Sequence, residues 1–212
     1  MPKTVQTKEL LADLNRLNKR LSEIIARDFP NLSSDQLNWR AQEDEWSIAE
    51  CLMHLNYVAD YYFPSTLNAI KNAKAKKSKP QEKFTRGWLG HRYASKFRLN
   101  LENQIKGRIE SPSKYNPRSM SSSILDGKKI IANCLEKQQV IDKMLQDAQT
   151  INLQKTRVRA AFWGLVSIQL GDMLKVLVYH TERHSVQAQR ILYHDYFPGN
   201  LPLKDLLSKK EA

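Results

Sequence analysis

The 212 residues, 26% of them charged and 41% hydrophobic, are typical of a soluble globular protein with one core. The chain has only 7 glycines and 8 prolines, which argues against a turn-rich β fold and favours helices. The N-terminus has no apolar run of the kind found in signal peptides, and the longest apolar stretch, AAFWGLVSIQL, is too short to cross a bilayer. Two cysteines without a CxxC motif indicate no disulfide framework, so we expect a cytoplasmic protein.

The net charge of +12 is concentrated in one part of the chain. Residues 71–118 contain 14 Lys or Arg residues and three acidic residues, so this segment alone carries +11. We call residues 71–118 the basic segment. Its aromatic residues alternate with cations, a pattern that can bind phosphate backbones and stack on bases. The residues in question are Phe84, Trp88, Tyr93 and Phe97, four of the five Phe, Trp and Tyr residues of the segment.

Apolar residues at helical spacing predict a first long helix over residues 7–28, which Pro30 ends. The second predicted helix begins at Ser47-Ile48-Ala49-Glu50, a capping box in which Ser47 and Glu50 each bond a backbone N–H of the other. Pro64 is predicted to kink or end this helix.

The basic segment gives a weaker pattern, in which residues 88–110 are predicted to form one amphipathic helix. The third long helix is predicted to follow the serines at 121–123, with Ile124 in its apolar stripe. Residues 161–170 suggest an extended segment. Gly171 and Asp172 then resemble a stop followed by the N-cap of a fourth helix that ends near Tyr193.

Four long amphipathic helices can bury one stripe each by packing together. We therefore predict an all-α protein, a single domain over residues 1–212 built as an up-down four-helix bundle. Residues 71–120 would form a long basic insertion between the second and third helices, and residues 199–212 a polar C-terminal tail.

Three histidines are the candidate metal ligands. His180 and His184 lie four residues apart on the fourth predicted helix, within the same apolar stripe as Met173 and Leu177. His54 falls on the inward face of the second helix. Three inward imidazoles can bind one metal ion with positions left open for water or substrate. Alternatively, they are core histidines whose ring nitrogens hydrogen-bond one another.

These histidines lie in two motifs that together resemble the DinB-like (YfiT-like) superfamily of metalloenzymes. Members pair a W-S-x-x-E…H-L segment with a later L-x-D…H-x-x-x-H-x-x-Q segment. The first is filled here by Trp46, Ser47, Glu50, His54 and Leu55. The second is filled by Leu170, Asp172, His180, His184 and Gln187. The basic segment is longer than the family usually carries between its helices.

The resemblance implies that His54, His180 and His184 bind one divalent metal, nickel or zinc. Some members are transferases or isomerases that use a low-molecular-weight thiol, so a thiol-dependent transferase or a hydrolase acting on a small molecule is implied. Members are often dimers, which makes a homodimer the expected assembly. In such a site the metal acts as a Lewis acid.

Three further residues are candidates for the pocket around the metal. Glu50 is more simply explained as a cap, although one turn before His54 it can accept a bond from an imidazole. Gln187 lies three residues after His184, and Tyr57 lies three residues after His54. Cys51 is a weaker candidate for an additional ligand.

The simplest interpretation of the basic segment is a solvated insertion, and two others remain open at this point. In the first, the protein is a nucleic-acid- or anion-binding module that acts through residues 71–118, and the helices are only a scaffold. In the second, the segment attracts an anionic substrate to the metal.

Overall fold

A computed structural model of the protein describes residues 4–100, 102, 104–105, 107, 109–120, 123–159 and 166–199. The fold is mostly helical. Its helices are α1 (Thr7–Asp28), α2 (Ser34–Asn38), α3 (Ile48–Ala75), α4 (Trp88–Phe97), α5 (Pro117–Met120), α6 (Gly127–Ala148) and α7 (Leu170–Leu192). Its strands are β1 (Thr4–Gln6), β2 (Lys83–Thr85), β3 (Arg157–Arg159) and β4 (Ser167–Gln169).

The four long helices α1, α3, α6 and α7 form the body of the protein. Helix α3 packs against both α6 and α7, and α1 packs against the same two helices from the other side. The strands form two antiparallel pairs outside these helices, β1 with β2 and β3 with β4. Strand β1 leads into α1, and β4 leads into α7. Each helix in the part of the chain that the structure describes is too short or too polar to span a lipid bilayer.

Helices α1 and α3 begin where the sequence predicts. The capping box at the start of α3 is present: the Glu50 amide donates to Ser47 Oγ over 3.2 Å, and the Ser47 amide donates to Glu50 Oε2 over 2.7 Å. Pro64 is predicted to kink or end this helix, and the second alternative is wrong, since α3 continues to Ala75. Tyr62 and Ile70 on either side of the proline are buried in the core, and this packing offsets the hydrogen bond that proline cannot make.

The two later helices begin at other residues than predicted. Helix α6 begins at Gly127 rather than directly after the serines, and Asp126 caps it by accepting a bond from the Lys129 amide over 3.1 Å. Ile124, predicted to lie in its apolar stripe, is outside the helix with 76% of its surface exposed. Helix α7 begins at Leu170, directly after β4, so Gly171 and Asp172 lie in its first turn. Only residues 166–170 of the predicted extended segment can be compared, since 160–165, like 200–212 of the C-terminal tail, lie outside the described residues.

Asp172 is a buried contact to the basic segment rather than an N-cap. Its fully buried carboxylate accepts bonds from the Gly87 amide over 2.9 Å and from Lys175 Nζ over 3.2 Å. A Cβ at Gly90 would lie 2.6 Å from the Asp172 side chain, so α4 approaches α7 closely only because residue 90 is glycine. Asp172 thereby joins the beginning of α4 to the beginning of α7.

The basic segment does not form one helix over residues 88–110, because α4 ends at Phe97. Its aromatic side chains serve the core. Phe84 and Phe97 are buried, and the Tyr93 hydroxyl hydrogen-bonds that of Tyr62 over 2.7 Å. Only Trp88 of these four is largely exposed, at 77%. The row of base-stacking aromatics that the sequence suggests is therefore not presented to solvent.

Replacing Asp172 with Ala should lower the free energy of unfolding by about 3 kcal/mol, because it leaves the Lys175 ammonium buried without its carboxylate. Urea denaturation measures this loss. Asp60→Ala is the matched control, since Asp60 pairs with Lys137 at the surface and its loss should cost less than about 1 kcal/mol. Equal losses in the two variants would contradict the assigned role of Asp172.

Candidate metal centre

The three predicted histidines lie together between α3 and α7. His54 comes from α3, and His180 and His184 come from successive turns of α7; all three are buried. Each can offer one ring nitrogen such that all three nitrogens lie within 4.8 Å of one another. His54 Nε2 is 3.2 Å from His180 Nε2. The tertiary fold thus brings together residues that are 126 positions apart in sequence.

Hydrogen bonds on the outer side of two rings determine which nitrogen faces the centre. His54 Nδ1 lies 2.7 Å from the Tyr115 carbonyl oxygen, and His184 Nδ1 lies 3.0 Å from Gln187 Oε1. Both oxygens act as acceptors, so each Nδ1 carries a proton and donates it. In a neutral imidazole the remaining Nε2 then holds a lone pair, which is the form that binds a metal.

The arrangement fits a divalent metal ion. Two nitrogens bound at roughly 2.0–2.1 Å with a tetrahedral angle would lie about 3.3 Å apart, close to the observed separation of His54 and His180. Three imidazoles leave at least one coordination position for another ligand. Nitrogen donors of this kind suit zinc and nickel equally, so the donor set does not distinguish between them.

Burial keeps the three rings neutral at physiological pH. It lowers the pKa of His54 to about 4, and the bond to the Tyr115 carbonyl opposes this only in part. Burial also lowers the pKa of His180 and His184 well below the ordinary value, and the neighbouring histidines and Arg183 add to the effect. The lone pairs are therefore available without any competing proton near pH 7.

Two aromatic rings enclose the histidines, and the sequence assigned neither of them to the site. Trp46 stacks on His184 with ring centroids 5.6 Å apart and lies 4.9 Å from His54. Phe97, from the end of α4, contacts His180 edge-on at 4.7 Å. Trp46 could have been found from its place in the W-S-x-x-E motif. Phe97 could not, since its contact depends on how the basic segment folds back.

Of the predicted neighbours, Gln187 hydrogen-bonds a histidine, His184. The Glu50 carboxylate accepts hydrogen bonds from the Ser47 amide and from Arg40, whose Nη2 and Nε donate over 2.6 and 2.8 Å. Glu50 therefore serves as the cap.

The protein has two apolar cores, and Tyr57 is half-buried against the larger one, which includes Tyr62 and Leu177. Tyr57 is not among the described residues that line the cavity beside the histidines. Cys51 is buried in the smaller core, which includes Ile25 and Leu52, and the cluster of candidate ligands found among the described residues does not include it.

A cavity of about 940 Å³ opens onto the three histidines. Much of its wall comes from the basic segment, including Phe97, Gly107 and Ser111. A volume of this size suits a small organic molecule. The basic segment is therefore part of the site itself, which its sequence did not indicate.

The unfolding free energy of the metal-free protein should fall as the pH decreases from about 6.5 to 4. Each histidine stays neutral in the folded state, whereas the unfolded chain takes up protons below its ordinary pKa, so acid favours unfolding. For His54 the loss between pH 7 and pH 5 is about 2 kcal/mol. Urea denaturation of chelator-treated protein at both pH values measures it. A His54→Gln variant with the same pH dependence as the wild type would contradict this prediction.

Comparison with known proteins agrees with this geometry. The family model of the DinB superfamily matches residues 15–188, which include α3, α7 as far as residue 188, and all three histidines. No curated protein and no solved structure matches the chain significantly. The family match covers most of the chain, and on this basis the protein belongs to the DinB superfamily.

Proposed function

We propose that the protein is a divalent-metal-dependent enzyme in which His54, His180 and His184 hold one ion, nickel or zinc. The observation that carries this proposal is the convergence of three buried, neutral imidazoles on one point. Membership of the DinB superfamily supports it. We further take α1, α3, α6 and α7 to be the up-down four-helix bundle predicted from the sequence, because α1 and α3 each pack against both α6 and α7.

The surrounding residues have separate tasks in this proposal. The Tyr115 carbonyl and the Gln187 side chain orient two of the rings, and Trp46 and Phe97 shield the nitrogens from solvent. The ion, when bound, would act as a Lewis acid and lower the pKa of a thiol or a water molecule. The cavity binds the small molecule that reacts there.

We infer that the reaction is a group transfer or a hydrolysis, with a low-molecular-weight thiol as a candidate co-substrate. The cavity supports this, since it is large enough for two small reactants or for one of moderate size. A cytoplasmic location and a homodimer remain predictions from the sequence. Neither is needed for the site, since one chain supplies all three histidines.

The alternative, a nucleic-acid-binding module, loses part of its support in the structure. Phe84, Tyr93 and Phe97, three of the four aromatics that suggested base stacking, pack inward, and Phe97 contacts the candidate metal centre. Affinity for DNA or RNA that falls steeply with added salt and survives chelation would favour the alternative. Metal content that is lost on chelation would favour the enzyme.

Protein purified without a nickel-affinity tag should contain about one nickel or zinc ion per chain by elemental analysis. The variants His54→Ala and His184→Ala should abolish the metal content and any activity, because each removes one of three ligands. His91→Ala is the control, since His91 lies on α4 outside the cluster and hydrogen-bonds Ser95. Full metal occupancy in the folded His184→Ala variant would refute the assignment.

Replacing Gln187 with Leu should weaken zinc binding about tenfold, because the His184 ring loses the acceptor that orients it. Competition with a chromophoric chelator measures the affinity. Gln189→Leu is a control of the same chemistry on the same helix, since its amide bonds Asp28 away from the site. Similar losses in both variants would show that Gln187 acts only through general stability.

A further inference from the structure

A second cavity lies between α3, α6 and α7, close to the candidate metal centre. Its volume is about 20 Å³, and its wall includes Asn56 of α3, Gln138 of α6 and His180 of α7. We call it the small cavity. Most of its other described lining residues are apolar, among them Val58 and Leu177. A space of this size has room for about one water molecule, which binds only where polar groups hold it.

Two buried amide oxygens in this wall need hydrogen-bond donors. Asn56 and Gln138 are only 6% and 3% exposed, and within the described part of the chain neither Asn56 Oδ1 nor Gln138 Oε1 has a partner. The Asn56 amide cannot be reversed to satisfy its oxygen, because Nδ2 donates to the Ile130 carbonyl oxygen over 3.0 Å. Leaving two buried oxygens without donors costs free energy on folding. The two oxygens therefore point to a ligand in the small cavity.

The ligand that matches this wall is a small molecule that donates two hydrogen bonds. Both amide oxygens are acceptors, so each needs an N–H or O–H group. A water molecule supplies two such groups and fits the volume. A metal ion fits less well, because Lys137 also lines the small cavity and places a positive charge beside the amides. Its Nζ donates to the main-chain oxygen of Asn56 over 3.1 Å.

His180 connects the small cavity with the candidate metal centre, since it lines this cavity as well as the one of about 940 Å³. Its Nε2 faces the centre, 3.2 Å from His54 Nε2, and this is the only hydrogen-bond contact of its ring with the described residues. The other ring nitrogen, Nδ1, is directed away from Nε2 and is the atom that a ligand of the small cavity can reach. In His54 and His184 the corresponding Nδ1 bonds the Tyr115 carbonyl and Gln187.

We propose that the small cavity binds one water molecule, which hydrogen-bonds Asn56 Oδ1, Gln138 Oε1 and His180 Nδ1. Three hydrogen bonds are typical of a buried water molecule. In the metal-binding tautomer His180 Nδ1 carries the proton, so the water accepts from the ring and donates to both amides.

This inference rests on the proposed function, because it assigns Asn56 and Gln138 the task of holding a candidate metal ligand in place. Both are positioning residues that act on the His180 ring through the water. Helix α6 supplies none of the three histidines, and Gln138 thereby links it to the centre.

A high-resolution crystal structure of the metal-free protein tests the site itself. It should show one water molecule roughly 3 Å from each of Asn56 Oδ1, Gln138 Oε1 and His180 Nδ1. The structure of a Gln138→Met variant should lack this water, since methionine has a similar length and only a weak acceptor. A dry small cavity in the wild type, or a direct bond between the two amides, would overturn the inference even where the variant does not fold.

Zinc affinity, measured by competition with a chromophoric chelator, tests the positioning role. Gln138→Met should weaken zinc binding about tenfold, because the His180 ring loses the partner that orients it. Gln138→Glu keeps an oxygen at the same position and should restore an affinity close to that of the wild type. Gln139→Met is the matched control, since Gln139 is the exposed neighbour on α6, and it should change the affinity less than about twofold.

Equal losses in Gln138→Met and Gln138→Glu, or in Gln138→Met and Gln139→Met, would refute the positioning role. The metal content decides the proposed function separately. A dry small cavity in a protein that holds one metal ion per chain would refute this inference alone. A filled small cavity in a protein that takes up no metal would refute only the metal centre.

Discussion

The burial of three imidazoles between α3 and α7 is the constraint on which the site depends. Buried polar nitrogens must have partners, or they cost free energy on folding. Two of the outer nitrogens find them in the Tyr115 carbonyl and in Gln187. The inner nitrogens face one another at distances that a single ion would bridge. The contact between α3 and α7 therefore depends on partners for the buried imidazole nitrogens as much as on apolar packing.

The histidines also separate two apolar cores. Along α7, the larger core includes Leu177 and Val178, and the smaller core resumes at Ala188 and Ile191. Along α3, the smaller core extends to Leu55, the residue after His54, and the larger core begins at Val58. Each core can stabilise its own end of the helices. The stretches of α3 and α7 between the cores can therefore carry polar residues such as the histidines, as functional sites commonly do.

The basic segment becomes part of the site because α4 lies alongside α7. Near the start of both helices, Gly87 and Gly90 contact Asp172, and the Lys175 ammonium lies 4.7 Å from the centre of the buried Phe84 ring. Farther along, Phe97 reaches His180, eight residues or roughly 12 Å beyond Asp172 on α7. The buried ion pair at one end therefore positions an aromatic wall at the other.

The sequence alone determined the long helices and the identity of the clustered histidines, because helical periodicity and a capping box are local patterns. His180 and His184 share a face by their spacing, and His54 follows the Ser47 cap by two turns. Only the tertiary structure decided the course of the basic segment, the burial of Asp172 and the place of Arg183 in the cavity wall. Each of these depends on contacts between residues far apart in the chain, such as Asp172 with Gly87 and Arg183 with Gly107, and no local periodicity encodes them.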